Sequence, residues 1–310
     1  LFNLLILTAD VSPFLYKNDW YLFEEVKKLT NCVVLTHDVF YKADCNIVEL
    51  IKISSFQPDF ILINEIMGGW YTKGCKNINI PIGYMVHDVQ SNVDFRRKFL
   101  SENAISLIFS FIKHKFVELY PEFTDKFRWL PHHVNTSIFK DYGLQREINS
   151  LFMGNTSPLY PLRKKVIEKM RGQPGFVHHV HPGYLLQPGK DSKPVFVGEQ
   201  YAKEINRAKM FFTCCSIYKY PLLKYFEVLA CRTLLLADSC EELKELGFKP
   251  DKHFVEINEH NFYQKYLYYL NNEMKRNQIA TDGHQFVTKY HSTRVRAQQL
   301  VKYIADILKK

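Results

Sequence analysis

Short apolar runs alternate along this chain with stretches whose apolar residues recur at helical spacing, and that alternation restricts it to an α/β fold built on parallel strands. The runs Leu4-Leu5-Ile6-Leu7, Phe60-Ile61-Leu62-Ile63 and Leu234-Leu235-Leu236 are apolar at every position. Both faces of such a strand need cover, which crossover helices provide. Strands are predicted at Asn3 to Thr8, Cys32 to Thr36, Phe60 to Asn64, Ile82 to Val86, Ile105 to Phe109 and Phe127 to Leu130, with helices near Trp20 to Leu29, Ile47 to Ser55 and Ile112 to Leu119.

The chain turns polar from His132 to Glu147, and a new strand opens at Ile148 to Met153. That interval reads as a domain boundary. A second layer follows, with a helix at Leu162 to Arg171, strands at Phe176 to His179 and Val195 to Val197, a helix at Tyr201 to Ala208 and a strand at Met210 to Cys214. Next come a helix at Leu222 to Cys231, a strand at Thr233 to Ala237, and a helix from Cys240 whose start carries Ser239 and Glu242 as a capping box. Gly172, Pro174, Gly175, Pro182, Gly183, Pro188, Gly189 and Pro194 predict loops around one short strand. From Asn261 onward the pattern is helical, and Val295, Leu300, Ile304 and Leu308 share a face of the final helix. The expected fold is two doubly wound α/β domains, residues 1–140 and 141–292, with a terminal helix at about 293–310.

At 310 residues, 46% of them hydrophobic, the chain has material for a sizeable core, and Gly 13 with Pro 13 is too little for a disordered or collagen-like polymer. Apolar stretches such as Ala104 to Ile112 fall short of the ~18 to 20 residues a membrane span requires. The opening Leu1 to Leu7 lacks a basic lead and runs into Thr8-Ala9-Asp10, so it reads as a buried strand and not a signal peptide. Without an initiator Met the chain is expected to have been trimmed or processed. Seven cysteines without a C-x-x-C pair point to a reducing, cytoplasmic setting. A net charge of +9 favours anionic partners, from a nucleoside diphosphate to an acidic polymer or a membrane surface.

Open α/β sheets bind ligands beyond the carboxyl ends of their strands, so two sheets sharing a cleft would place chemistry there. The residues at those ends are Asp10, His87, Asp88, Gly154, Asn155 and the segment from Ser216 to Glu227. In Tyr220-Pro221-Leu222-Leu223-Lys224-Tyr225-Phe226-Glu227, Pro221 suits a helix opening whose free amides receive an anion, and Lys224 adds a charge one turn in. Glu227, three residues on, can accept from a ribose diol. It can equally be an ordinary surface partner of Lys224, worth about 0.3 to 0.5 kcal/mol.

The string Lys224 to Cys231, followed by Thr233 to Asp238 and Glu242-Leu243, resembles the donor-binding core of GT-B glycosyltransferases of the group 1 type, in particular the spore-maturation branch. Further matches are Leu130-Pro131 through Asn135 and Phe139, Phe152-Met153-Gly154-Asn155 with Tyr160-Pro161-Leu162-Arg163, and His291-Ser292-Thr293 with Arg294 or Arg296. That branch usually has Arg where Lys224 stands and Gly after the Ala, where this chain has Cys231-Arg232; the first of the family's two glutamates would fall near Tyr220. The resemblance covers the chain from about Leu130 onward. It implies two Rossmann-like domains facing across a cleft, an acceptor domain first, a nucleotide-sugar donor domain second, and a last helix that crosses back to the first domain. It also implies retention of configuration.

Sugar transfer builds negative charge on the departing diphosphate, which a metal held by D-x-D or fixed cations must neutralise. No D-x-D occurs in the sequence, so metal independence is expected, with Arg163, Lys224 and amides near Gly154 and Pro221 supplying the charge. Arg163-Lys164-Lys165 can instead be a solvated basic face. His87 and Asp88 can bond the sugar or assist proton removal, or serve a turn. Asp10 can be a general base in an inverting reaction, or form a turn with Ser12-Pro13. His132-His133 and His178-His179-x-His181 lack partners at familiar metal-ligand spacing. Tyr218, Lys219, Tyr220, Lys224 and Tyr225 together with Arg96-Arg97-Lys98 can grip nucleic acid, or the tyrosines can be core or pocket wall. Neither G-x-G-x-x-G nor a P-loop is present, which argues against nicotinamide and nucleoside-triphosphatase chemistry.

The expected activity is transfer of a sugar from a nucleoside diphosphate to a glycan or other hydroxyl acceptor. Two alternatives stand beside it: a binding protein that kept the cleft and lost turnover, and a glycosyltransferase acting on nucleic acid. A receiver-like regulator, suggested by Gln57 to Ile63, leaves the second sheet unexplained.

Overall fold

The computed structural model describes residues 1–11, 14–36, 45–65, 72–183 and 195–309. The chain divides into two compact units, the first made of residues 1–12, 19–131 and 294–310 and the second of residues 13–18 and 132–293.

In the first unit, β1 (Asn3–Thr8), β2 (Asn31–Thr36), β3 (Phe60–Glu65), β4 (Ile82–Val86), β5 (Ile105–Ser110) and β6 (Phe127–Trp129) form one parallel sheet. Its order is β2-β1-β3-β4-β5-β6, so the order reverses between β1 and β3. Helices α1 (Asn18–Lys27), α2 (Ile47–Ser54), α3 (Val93–Glu102) and α4 (His114–Leu119) belong to this part of the chain. The all-apolar runs are buried as expected, with every residue of β3 and β4 inside. One core gathers Leu4, Ile6, Phe60 and Leu62 from the sheet, Leu22, Phe23 and Val26 from α1, and Ala297, Leu300 and Ile304 from the closing helix Thr293–Leu308. Fully burying a side chain of Leu or Ile size contributes about 1.5 to 3 kcal/mol, so those last residues are integral to the first unit.

Helix α3 escapes the apolar pattern because Arg96 shares its inward face with Phe99 and Leu100. Within the basic run Arg96-Arg97-Lys98 the first member is no surface charge: Arg96 is buried against Glu65, while Lys98 stays exposed and Arg97 partly so, Arg97 pairing with Asp94 and Glu122.

In the second unit, β7 (Ser150–Gly154), β8 (Phe176–Val180), β9 (Met210–Phe212), β10 (Leu234–Ala237) and β11 (Val255–Glu256) form a second parallel sheet of order β11-β10-β9-β7-β8. Its order reverses between β7 and β9. Helices α5 (Pro161–Met170), α6 (Gly198–Asn206), α7 (Lys224–Ala230), α8 (Glu241–Glu245), α9 (Phe262–Asn271) and α10 (Glu273–Tyr290) complete it, and the closing helix is α11.

Three expectations need correction. Val195 to Val197 is not a strand, and the preceding Gly/Pro-rich residues 184–194 lie outside the described residues, as do Ser12 and Pro13. Cys240, not Ser239, is the N-cap of α8, without a side-chain cap, so the capping box does not form. Helix α7 begins at Lys224, leaving Pro221 three residues ahead of it and outside its first turn.

Helix α7 is held from two sides. Gly283 of α10 lies against it, where a Cβ would run into the His253 carbonyl oxygen and stand 2.9 Å from Leu229 Cδ2. At its carboxyl end His284 Nδ1 donates to Ala230 O at 2.8 Å, and Arg146 Nη2 donates to Cys231 O at 3.1 Å and Arg232 O at 2.8 Å. Arg232 takes the left-handed conformation (φ 53) that glycine adopts freely, and pairs with Asp141 at 3.0 Å. The turn persists without the glycine.

Candidate functional site

The second unit gathers its chemistry at the carboxyl edge of β7 and β9, where the sheet order reverses. Tyr160-Pro161 opens α5 with Pro in the first helical turn, and Arg163 reaches back so that its guanidinium lies 3.9 Å from the centre of the Tyr160 ring. Arg163 Nη1 donates to Asn155 O at 2.7 Å, just after β7. Its Nη2 reaches Thr213 Oγ1 at 3.3 Å and Cys214 O at 3.4 Å, just after β9. One buried cation thus spans the crevice. Lys224 converges from α7: a Cβ on Gly154 would stand 3.1 Å from Lys224 Cε and 3.2 Å from Arg163 Nη1, so a side chain at this strand end would make one of the two cations shift.

Lys164 and Lys165, beside Arg163, are exposed and face Glu168 and Glu259. The solvated basic face exists, but Arg163 does not belong to it. Nor does the Lys224–Glu227 surface pair form: among the described residues no carboxylate comes within 4.0 Å of Lys224 or Arg163. Both Lys224 and Glu227 are partly exposed but ringed by protein. Burial pulls the Lys224 ammonium down to about 8, with Arg163 adding to the fall and Glu227 opposing it. Burial likewise pushes the Glu227 carboxyl up to about 7 against the pull of Lys224.

Sequence reasoning passed over Tyr201 as a site residue and weighed His181 only as a metal ligand. Tyr201 of α6 lies with its ring centre 5.7 Å from Lys224 Nζ. His181, one residue past β8, is held near pKa 4 by burial and by Lys224 and Arg163, so it is a neutral imidazole at pH 7. Tyr220 and Pro221 are buried ahead of α7 and Leu222 is half-buried there. Among the described residues no group of three or more His, Cys, Asp or Glu is placed to hold a metal ion. His132 packs edge-on against Phe226, His133 bonds Thr293 at 3.0 Å, His178 packs on Phe152 and His179 bonds Glu204 at 2.8 Å.

The first unit has its own polar cluster where β1 and β3 part. Asn64, wholly buried on β3, donates from Nδ2 to Thr8 Oγ1 at 3.0 Å and to Asp19 Oδ2 at 2.9 Å. His87 Nε2, just past β4, lies 2.8 Å from Asn64 Oδ1 and 3.0 Å from Asp19 Oδ2. Burial lowers the His87 pKa, but Asp19, with smaller contributions from Asp88 and Glu65, outweighs it and the net shift is upward. Behind His87 its loop is anchored: Arg96 donates to both oxygens of Glu65 at 2.8 and 2.7 Å, to Ser91 O at 2.6 Å and to Tyr120 Oη at 2.6 Å, while Tyr120 Oη donates to Val89 O at 2.9 Å. Asp88 is exposed beside His87, and Asp10 lies partly buried beyond β1. Asp19, Asn64 and Thr8 were missed because no motif joins them; the topology brings together strand ends far apart in sequence.

Residues 163–302 match a family model described as glycosyl transferase-like. That segment is glycosyl transferase-like. It contains Arg163, Lys224 and Glu227, and less than half of the chain lies within it. No curated protein matches the chain by sequence. Among solved structures, the sucrose-phosphate synthase of Thermosynechococcus elongatus is similar with TM-score 0.69 at 12% identity, each chain covered in full. The HepE protein of Anabaena in complex with UDP and glucose is similar with TM-score 0.67 at 10% identity, over 99% of this chain and 100% of the other. An alpha-glucosyltransferase in complex with UDP-glucose and DNA containing an abasic site gives TM-score 0.64 at 12% identity, over 98% and 99% of the two chains. At such identities the likeness establishes the fold: an α/β chain with two parallel sheets, as in GT-B glycosyltransferases, its glycosyl transferase-like segment supplying most of the second.

Proposed function

We propose that this chain is a glycosyltransferase that moves a sugar from a nucleoside-diphosphate sugar to a hydroxyl acceptor, without a metal ion and with retention of configuration. The observation that carries the reading is the meeting of Arg163 and Lys224 at Gly154, with no carboxylate at ion-pair distance from either among the described residues. Desolvated cations without a carboxylate in direct contact are costly, and an arriving diphosphate offsets that cost. The same cations then stabilise the charge that grows on the phosphate oxygen as the sugar C1–O bond breaks and its electron pair leaves with the diphosphate.

In this reading Lys224 meets the diphosphate, with Arg163 behind it. Gly154 and Asn155 let the backbone close to it, and Tyr220, Pro221 and Leu222 wall the approach. Glu227 accepts from the ribose diol, one turn of α7 from Lys224. The first unit takes the acceptor, a glycan hydroxyl or, as in the complex of the similar alpha-glucosyltransferase, a partner of nucleic-acid type. His87 faces the reacting sugar, with Asp88 beside it, and Asp10 is the further candidate base beyond β1. Metal independence is supported by the lack of D-x-D in the sequence, and retention by the group 1 resemblance.

A thermal-shift panel of UDP-, GDP-, ADP-, CDP- and TDP-sugars tests the donor site, UDP-sugars first because two of the similar structures hold UDP or UDP-glucose. The expected outcome is stabilisation of the wild type by one donor, little stabilisation of Glu227→Ala, and release of nucleoside diphosphate that survives a chelator. The reading is overturned if no nucleotide stabilises the wild type, or if Glu227→Ala responds equally. Binding without release under any condition would make this a donor-binding protein that has lost turnover.

A further inference from the structure

The first unit's cluster fixes the chemistry of its histidine more tightly than the donor reading requires. Asn64 spends both amide protons inside the cluster, on Thr8 Oγ1 and Asp19 Oδ2, and this turns its Oδ1 toward His87. An amide oxygen and a carboxylate oxygen both only accept, so the ring nitrogen facing them, Nε2, is the one that carries a proton. Asp19 is 4% exposed, in the first turn of α1, and a carboxylate so deeply placed needs a cationic or hydrogen-bonding neighbour to remain ionised. His87 at 3.0 Å supplies one. Among the described residues the other charges acting on His87 are Asp88 on the same loop and Glu65 on β3, the latter already engaged at both oxygens by Arg96; the Phe111 ring stands edge-on 5.7 Å from the imidazole.

We propose that Asp19, with Asn64, is a positioning residue for His87, holding the imidazole with Nε2–H turned inward and so fixing the tautomer and ring orientation with which it serves a hydroxyl of the sugar or acceptor. Asn64 and Asp19 act on that hydroxyl only through the ring. Asp19 also favours the imidazolium, so the ring presents an N–H to a sugar oxygen over a wider pH range than an unassisted histidine would. The catalytic part of this inference rests on the glycosyltransferase reading; the ring geometry does not.

The test therefore has two arms. Nitrogen-15 NMR of histidine-labelled wild-type protein should show His87 as the Nε2–H tautomer when neutral, titrating above 6.5, and the isosteric Asp19→Asn should lower the midpoint. In the second arm, donor turnover by Asp19→Asn should fall roughly ten- to a hundredfold in kcat with KM nearly unchanged, the acid side of the rate profile should move with the NMR midpoint, and Asp19→Glu should recover part of the loss. An Nδ1–H tautomer in the wild type, an unmoved midpoint in Asp19→Asn, or an unchanged kcat overturns the proposal. If the wild type turns over no donor at all, the glycosyltransferase reading and the catalytic part of this one fall together, and the ring result stands by itself.

Discussion

Glu227 and Lys224 carry opposite charges on one helix, and burial drives both toward neutrality, to about 7 and about 8. A diol is best accepted by ionised Glu227, which requires pH above about 7. A diphosphate is best held by protonated Lys224, which requires pH below about 8. Donor affinity, measured calorimetrically from pH 6 to 9, is therefore expected to peak between those values and fall on both sides. Glu227→Gln should flatten the acid side alone, and Lys224→Met the alkaline side alone. Gly154→Ala should weaken donor binding roughly tenfold or more, because the added methyl must displace Lys224 or Arg163 from the strand end. Lys224, Glu227 and Arg163 stood out in the sequence because residue type and helical spacing are local properties. That Arg163 is the buried member of its basic run was not legible, since burial there comes from Tyr160 beneath it and the ends of β7 and β9 on either side.

At the scale of elements, α7 is placed by its neighbours as much as by its own seven residues. The flat face at Gly283 lets α10 close on it, and the contact with the His253 carbonyl oxygen leaves no space for a methyl group. Gly283→Ala is expected to cost about 1 to 3 kcal/mol in urea unfolding and to reduce donor affinity as α7 shifts. A similar dependence governs the β4 loop: Arg96→Met leaves Glu65 buried without its bidentate partner and should cost about 3 to 5 kcal/mol by the same measurement. The strands were legible because fully apolar runs of this length have few other fates. Helix α3 was not, since a buried Arg96 on its inward face looks polar in sequence and becomes a core residue only once Glu65 is beside it. The two-residue β11 is too short to carry a pattern, and the cap of α8 turned on backbone geometry that Ser239 and Glu242 only imitate.

At the scale of the whole molecule, neither unit is one continuous stretch of chain: the first draws on both ends of the sequence, and the second includes residues 13–18 as well as 132–293. Ending the chain after Ser292 should uncover Leu4, Ile6 and Phe60, making residues 1–131 readily cleaved in limited proteolysis while β7 to β11 stay protected. During translation this order has a cost. The amino-terminal sheet leaves the ribosome first, yet Ala297, Leu300 and Ile304 arrive after more than a hundred and fifty further residues, roughly ten to thirty seconds later at ordinary elongation rates. For that time its strands wait without their last layer of cover, so a nascent chain of this design should lean on holding chaperones until α11 has emerged.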